Sequence, residues 1–552
     1  MKSETRPRFR LATDGYFRRD GEMFLPVGAN YWPASCGVDM WVEWPVEEMR
    51  SDLAAMQAKG LNTIRFFLRW PDFEPRPGVY EEAAFQRLRE FLGWCREYDI
   101  AAMPTLFVGF MSGGFFFPEG KQGKNLFADP LWRETSVAYA TKAAKAMKGF
   151  EDVLLAVDHG NEISSMTDSW SAGEENLRAW SGGVSAAIRA VLPEVEVING
   201  LDHNQVVENV GWTFANQKGC TLFSMHGYPV PGWWPVAFDG MGDPLCRELL
   251  PFCVAVARAH GPVLLQEFGT IIGGGSEQVR GYLEAILPRL QEQGANGFLW
   301  WCLRDIVTDR YPYTKHGIEG RLGLLDDHRQ IKPGREALIK VSRQVPETRP
   351  RVALYWPNYV KRHRENPGNE PGPHFRSQIP VATGLRLAGE GYRVVREESL
   401  PQPGEAVLWV AGSTLTSGEI QSLRNWVEKG GQLVWQGLGF RSFDRAAEEL
   451  LGAVPADVRG VLGENFSWGN REWHGSVYPA GMLTEFAPTT AEVLAVEQRG
   501  LPMVVQNRFG SGRVLGVVPD MGASFAAEPA DKTKRTHWLE WARLVLETLA
   551  SE

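Results

Sequence analysis

The 552-residue chain has little cysteine for its length: Cys36, Cys95, Cys220, Cys246, Cys253 and Cys302 are all it holds. No two of them stand at CxxC spacing, so neither a zinc ribbon nor a disulfide framework is indicated. Reduced thiols in a cytoplasmic protein are the reading that follows. No run of ~18 apolar residues occurs, so no membrane span is expected. The opening MKSETRPRFRLATDGYF lacks the apolar centre of a signal peptide. A basic stripe is missing as well. The net charge is −9, which argues against nucleic acid and against a membrane surface as partners.

Tryptophan, by contrast, is abundant, with 21 residues. Some of these belong in a core. The others suit a carbohydrate partner, because a flat aromatic ring covers the apolar C–H face of a sugar while polar groups take its hydroxyls.

The length is too great for one core, and two or three domains are expected. Short apolar runs read as strands near 24–29, 62–68, 100–108, 153–158, 195–199, 221–226, 262–267 and 297–302. Amphipathic helical stretches such as 46–59 and 82–98 lie between several of them. Strand and helix in alternation imply parallel strands with helical crossovers. Eight such units predict an α/β fold of the (β/α)8 TIM-barrel type, which takes ~250 residues. A doubly wound sheet competes, but it usually carries a glycine-rich phosphate loop after its first strand, and GANYWPAS (28–35) is not one.

Residues 1–345 are therefore assigned to a barrel domain and 346–455 to a smaller flavodoxin-like α/β domain. Strands are expected there at 352–355, 392–395, 406–410 and 432–435, with a charged, Pro- and Gly-rich loop at 361–373. Thr416-Ser417-Gly418-Glu419 has the pattern of a helix capping box. Residues 456–552 read as mostly β with a closing helix near 534–549, and either complete the second domain or stand alone.

The active site of a (β/α)8 barrel lies at the C-terminal ends of its strands. The apolar run Val153–Val157 gives way to Asp158-His159-Gly160-Asn161-Glu162, and the seventh strand ends in Glu267-Phe268-Gly269. The fourth and seventh strands face each other across the mouth. Two converging carboxylates are what cleavage of a glycosidic bond requires, one to protonate the leaving oxygen and one to attack or to activate water. The second strand carries Arg65, a cation able to keep a neighbouring carboxylate ionised. The sixth strand ends in His226-Gly227-Tyr228, and the eighth carries Trp300-Trp301. Taken singly, each has an ordinary structural use: a helix-capping Glu, an ion-paired Arg, a hydrogen-bonded His, packed aromatics. Their coincidence at the correct strand ends points to catalysis.

The stretches GANYWP (28–33), GLNTIRFFLRWPDFEPRPGVY (60–80), HGNEI (159–163), FSMHGYP (223–229), LLQEFGT (264–270), GFLWWCLRD (297–305) and GLLDDHRQIKP (323–333) together resemble the clan A retaining glycoside hydrolases, closest to the family 5 type with β-mannosidases and β-mannanases. The resemblance implies Glu162 as acid/base and Glu267 as nucleophile. It implies that Asn161 holds the sugar 2-hydroxyl, that Arg65 and Tyr228 support Glu267, that His226 lines the site and that Trp301 stacks under the sugar. The chain departs from the usual pattern at the third strand, which offers no histidine, and in reading Asn-Glu-Ile for Asn-Glu-Pro. Region 346–455 resembles the amidotransferase-like trimerisation domain that follows the barrel in some β-galactosidases. No cysteine occurs after Cys302 to serve as a glutaminase nucleophile, so packing or homo-oligomerisation is its expected role.

The expected protein is a hydrolase, an exo-acting β-mannosidase on manno-oligosaccharides that needs no metal and no organic cofactor. The alternatives are a β-galactosidase or β-glucosidase on the same scaffold, and a non-hydrolytic sugar-binding barrel. Segment Phe110–Pro118, with Trp32 or Trp233-Trp234, is expected to wall a closed pocket. A second subunit docked through the 346–455 domain is the other source of that wall.

Overall fold

The computed structural model describes residues 7–207, 211–270, 275–345, 349–358, 372–412, 415–438, 444–461, 463–476, 482–531 and 535–550. The chain divides into two compact units, one of 1–205, 210–230 and 260–346, the other of 206–209, 231–259 and 347–552.

The first unit is built on eight parallel strands: β1 (Val27–Tyr31), β2 (Thr63–Phe67), β3 (Ala101–Val108), β4 (Ala156–Asn161), β5 (Glu196–Gly200), β6 (Phe223–Gly227), β7 (Val263–Phe268) and β8 (Ala295–Trp300). They run in the order β5-β4-β3-β2-β1-β8-β7-β6. No ladder joins β5 to β6; instead Thr221 N–H donates to Val197 O and His203 N–H to His226 O across that seam. This is a (β/α)8 barrel. Nearly every strand residue is buried, as parallel strands with covered faces require.

Helices follow most strands. Helix α1 (Val46–Ala58) and helix α2 (Glu82–Glu97) are amphipathic, and α2 buries Phe85, Leu88, Leu92 and Cys95 along one stripe. Helix α3 (Pro130–Met147) starts on Asp129, whose side chain accepts from Trp132 N–H, with Pro130 in the first turn where its missing N–H is harmless. A three-stranded antiparallel sheet over 9–24 supplies Phe9, Phe17 and Phe24, which pack with Met103, Ile198, Leu264 and Leu299 in one core. Each such side chain contributes about 1.5–3 kcal/mol by burial. Apolar packing thus occupies that part of the core and leaves the strands' C-terminal ends to polar groups.

The fourth strand differs from expectation. It spans Ala156–Asn161 rather than 153–158, so Asp158, His159, Gly160 and Asn161 form four of its six residues and are buried. Apolarity marked the approach to the strand, not the strand. Partners make the polar residues tolerable: Arg65 for Asp158, Arg65 and the Phe110 carbonyl for Asn161, and Ser185 Oγ, 3.0 Å from Nε2, for one nitrogen of His159, whose Nδ1 has no hydrogen-bond partner.

The second unit contains a seven-stranded sheet of β9 (Val352–Tyr355), β10 (Tyr392–Val395), β11 (Val407–Ala411), β12 (Gln432–Gln436), β13 (Glu492–Val496), β14 (Pro502–Phe509) and β15 (Gly512–Val517), in the order β10-β9-β11-β12-β15-β14-β13. The first five are parallel, and β14 and β13 add on antiparallel. Strands from both 346–455 and 456–552 thus share one sheet, and two antiparallel pairs lie between them over 453–488. The Thr416–Glu419 capping box opens the helix Ser417–Glu428. The loop at 361–373 lies, up to residue 371, outside the described residues. Segment 231–259, which the sequence places in the barrel domain by chain order, groups with this second unit. The helix Cys246–His260 is apolar around most of its surface, and its Phe252 meets Trp356, Phe375 and Tyr392. Trp234 also belongs here, stacked on Phe375, while Trp233 is half exposed.

None of the six cysteines forms a disulfide. Among the described residues no helix is long and apolar enough to cross a membrane.

Candidate active site

Glu162 directly follows β4 in a left-handed backbone conformation, φ 46° and ψ 39°. A non-glycine residue held there costs of order 1–2 kcal/mol. Its N–H donates to Gly200 O at 2.7 Å, and its C=O accepts from Ser165 N–H at 2.9 Å. Gly200 is required by close approach, since a Cβ there would lie 2.6 Å from an Arg65 nitrogen and 2.3 Å from Gly160 O.

Glu267 lies near the end of β7. Its Oε1 accepts the Tyr228 hydroxyl at 2.7 Å, and its Oε2 accepts Arg65 Nη1 at 3.1 Å. Arg65 is fully buried, and its guanidinium meets side chains from four other strands: Asn30 of β1 at 2.9 Å, Thr105 of β3 at 3.1 Å, Asp158 and Asn161 of β4 at 2.8 and 2.9 Å, and Glu267 of β7. His226 sits between the two glutamates, with Nδ1 3.2 Å from Glu162 Oε1 and 3.7 Å from Glu267 Oε2. One donor atom each from Glu162, His226 and Glu267 lies within 4.8 Å of the others. An oxygen of each carboxylate within that limit suits the close carboxyl pair of retaining glycosidases rather than the wider inverting gap.

Burial pushes both carboxyls up. Glu162 rises to about 8, from desolvation first and then the charge of Asp202, against the pull of Arg65. Glu267 rises to about 7, again from burial, with Glu162 pushing it up and Arg65 and the Tyr228 hydroxyl holding it down. The pair therefore shares a proton near neutrality. Glu162 has the stronger claim on it, because Glu267 keeps two donors on its oxygens. Burial and the two glutamates hold the Tyr228 phenol protonated.

The aromatic side of the site is Trp32, Phe67 and Trp301. Trp32 stacks on Phe67 at 5.3 Å, and Phe67 meets Trp301 edge-on at 5.9 Å. Trp301 is tied by Nε1 to Glu319 Oε2 at 3.0 Å, and Trp32 Nε1 points at Met111 Sδ, 3.3 Å away. Trp300 turns away to donate to Leu322 O at 2.8 Å. Within segment 110–118, Phe115 packs on Phe110 and Phe116 on Tyr311.

The structure thus brings Trp32, Arg65, Asn161, Glu162, His226, Tyr228, Glu267 and Trp301 into one connected group. Sequence reasoning missed Asn30, Asp158, Gln266 and Glu319. Glu319 is buried, with Ser112 Oγ and Trp301 Nε1 on its oxygens; it comes from the loop after β8, where nothing but its charge marked it. Glu162, His226 and Glu267 are also the set, among the described residues, that could hold a metal ion. The Glu267 oxygens are already taken by Arg65 and Tyr228, and a second cation would be repelled by the guanidinium.

A barrel whose fourth and seventh strands present two carboxylates this close is the framework of a glycoside hydrolase. No family model matches the sequence, and no curated protein does. Among solved structures, an exo-β-1,4-mannosidase from Opitutaceae bacterium strain TAV5 is 40% identical with a TM-score of 0.92, over 97% of this chain and 99% of that one. A GH5_18 protein of Streptomyces cattleya, in complex with Manβ1-4GlcNAc, matches at 20% identity and TM-score 0.59, over 68% of this chain and 94% of that one. Gan42B, a GH42 β-galactosidase from G. stearothermophilus, matches at 13% and 0.66, over 96% and 88%; these two likenesses speak to fold alone. The chain belongs to the clan A retaining glycoside hydrolases of the family 5 type.

Proposed function

We propose that the protein is an exo-acting β-mannosidase that removes single mannose units from β-1,4-linked manno-oligosaccharides by double displacement. The observation that carries the mechanism is the approach of a Glu162 and a Glu267 carboxylate oxygen to within 4.8 Å of each other. The sugar and the exo mode rest on the likeness to the Opitutaceae enzyme.

In the first step a Glu267 carboxylate oxygen attacks the anomeric carbon. The bond to the leaving oxygen breaks as Glu162 gives that oxygen its proton. In the second step Glu162, now a carboxylate, takes a proton from water. The resulting hydroxide equivalent displaces Glu267 and yields mannose with its configuration retained. Arg65 and Tyr228 stabilise Glu267 as leaving group. Asn161, whose Oδ1 is fixed by Arg65 and whose Nδ2 is fixed by Phe110 O, keeps one amide hydrogen to offer a sugar hydroxyl. Trp301, held by Glu319, supplies the stacking face.

The six cysteines outside any disulfide fit a cytosolic enzyme meeting imported oligosaccharides. Region 346–455 has no cysteine, and Cys246 and Cys253 of the second unit are buried in a helix, so this unit serves assembly of copies rather than amidotransferase chemistry. Light scattering on the purified protein tests that assignment.

A panel of nitrophenyl glycosides and a time course on manno-hexaose test the main reading. Mannose should appear from the outset, one unit at a time, with the mannoside preferred over galactoside and glucoside. Early di- and trisaccharides without mannose would refute exo action, and a preference for galactoside or glucoside would refute the sugar.

A further inference from the structure

We propose that Gln266 is a positioning residue that fixes the tautomer of His226 and, through it, keeps the catalytic proton on Glu162. This rests on Glu162 as the acid/base. The side chain of Gln266 is fully buried, and both of its ends are committed. Its Nε2 donates to Asp158 Oδ2 at 3.1 Å. That carboxylate also receives Arg65 and Thr105 and can only accept, so a flipped amide would set oxygen against oxygen. The amide oxygen of Gln266 is thereby turned to His226, with Oε1 and Nε2 3.1 Å apart.

An amide oxygen cannot donate, so the hydrogen between them belongs to His226 Nε2. A neutral imidazole carries one N–H. Its Nδ1 is then a bare lone pair, facing Glu162 Oε1 at 3.2 Å. That lone pair forms a hydrogen bond only with a protonated carboxyl. The other neutral tautomer would donate from Nδ1 and stabilise the Glu162 carboxylate, the form unable to protonate a leaving group. Gln266 removes that tautomer.

The doubly protonated ring is opposed separately. The charged groups facing it are Glu162 from the end of β4, Glu267 from β7, Arg65 from β2 and Asp202 beyond β5. The carboxylates favour imidazolium, Arg65 disfavours it, and complete burial outweighs them, so the ring is held toward neutrality. In the second displacement the same lone pair faces the Glu162 carboxylate and increases its readiness to take the proton from water.

Gln266 and Glu267 are sequence neighbours, which in a regular strand would point to opposite faces. The ladder with β6 pairs Leu265 with Met225 and then Glu267 with His226, so β7 gains a residue at Gln266. Such a bulge re-aims side chains and lets both neighbours reach the interior.

The first test is the imidazole 15N spectrum of histidine-labelled wild-type protein near pH 7, with His226 assigned by difference against His226→Gln. A neutral ring protonated at Nε2 is expected; protonation at Nδ1, or at both nitrogens, would overturn the proposal. The second is Gln266→Met, of similar shape but without the amide. The alkaline limb of its kcat/KM profile should fall by roughly one pH unit, with the loss concentrated on substrates with poor leaving groups and the acid limb in place. An unmoved alkaline limb in a folded Gln266→Met protein overturns the proposal. If that variant fails to fold, the wild-type spectrum decides alone. Should Glu162 not be the acid, Glu162→Ala would lose activity equally on every leaving group while the His226 spectrum remained as expected, so the two readings fail separately.

Discussion

The Tyr228 hydroxyl donates to Glu267 Oε1 at 2.7 Å, on the carboxylate oxygen that Arg65 does not touch. Each oxygen of the proposed nucleophile thus has its own donor, and the two can be removed one at a time. Tyr228→Phe deletes one donor from the ionised form. The acid limb of the kcat/KM profile, set by Glu267 at about 7 in the wild type, should move upward toward the alkaline limb set by Glu162 at about 8. The optimum narrows and kcat falls by roughly 10–100-fold, the loss of one charge-assisted hydrogen bond of ~1.5–3 kcal/mol. A pH–rate profile with an unmoved acid limb would show that Tyr228 does not act on Glu267.

Glu162→Ala should split substrates by leaving group. Poor leaving groups should lose roughly 10²–10⁴-fold, the usual contribution of a general acid, while dinitrophenyl glycosides still form the glycosyl-enzyme readily. Glu267→Ala should lose activity on all of them. A linear free-energy plot across substituted phenyl mannosides reads both.

Arg65→Met should destabilise the first unit by about 3–5 kcal/mol, because Asp158 is left buried without its cation. Arg65→Lys should not rescue it, since an ammonium cannot span partners on four strands. Urea denaturation gives the size of both effects. Wild-type stability in Arg65→Met would contradict the structural role.

The carboxyl pair also predicts a pH dependence of stability. Glu162 and Glu267 are raised in the folded state, so the fold binds more protons than the unfolded chain above its ordinary carboxylate range. Their contribution is present at low pH and is lost as pH rises toward 7 and 8. Glu162→Gln removes the ionisation. It should raise the melting temperature relative to wild type, more at pH 8.5 than at pH 5. An equal shift at both pH values would count against a raised Glu162.

Much of this was legible in the sequence, and the exceptions share a cause. Glu267, His226, Tyr228 and Trp301 stand at or near the ends of apolar runs, where a change from apolar to polar announces the barrel mouth. Asp158 and Gln266 lie inside strands, and their reason for being there is a partner distant in sequence: Arg65 for one, His226 for the other. Nothing local marks such a pairing. The displacement of β4 has the same origin, because apolarity locates a strand only where its partners are apolar. Glu319 sits in a loop of short 3₁₀ turns and is recognisable only once Trp301 and Ser112 are in place. Segment 231–259 lies between barrel strands in chain order yet groups with the second unit, because the apolar surface of its helix packs on Trp356, Phe375 and Tyr392 there.

Arg65 joins the catalytic group to four strands, and this constrains how the enzyme can be retooled. A substitution that alters the chemistry at this knot also loosens the fold, so selection for a new sugar has little room there. In the loop after β3, the Phe110 main-chain oxygen holds Asn161, and the Met111 and Ser112 side chains meet Trp32 and Glu319, which leaves the less buried segment 115–117 as the place where side chains can vary. Libraries that seek altered specificity should be built in that segment and should leave the strand ends untouched.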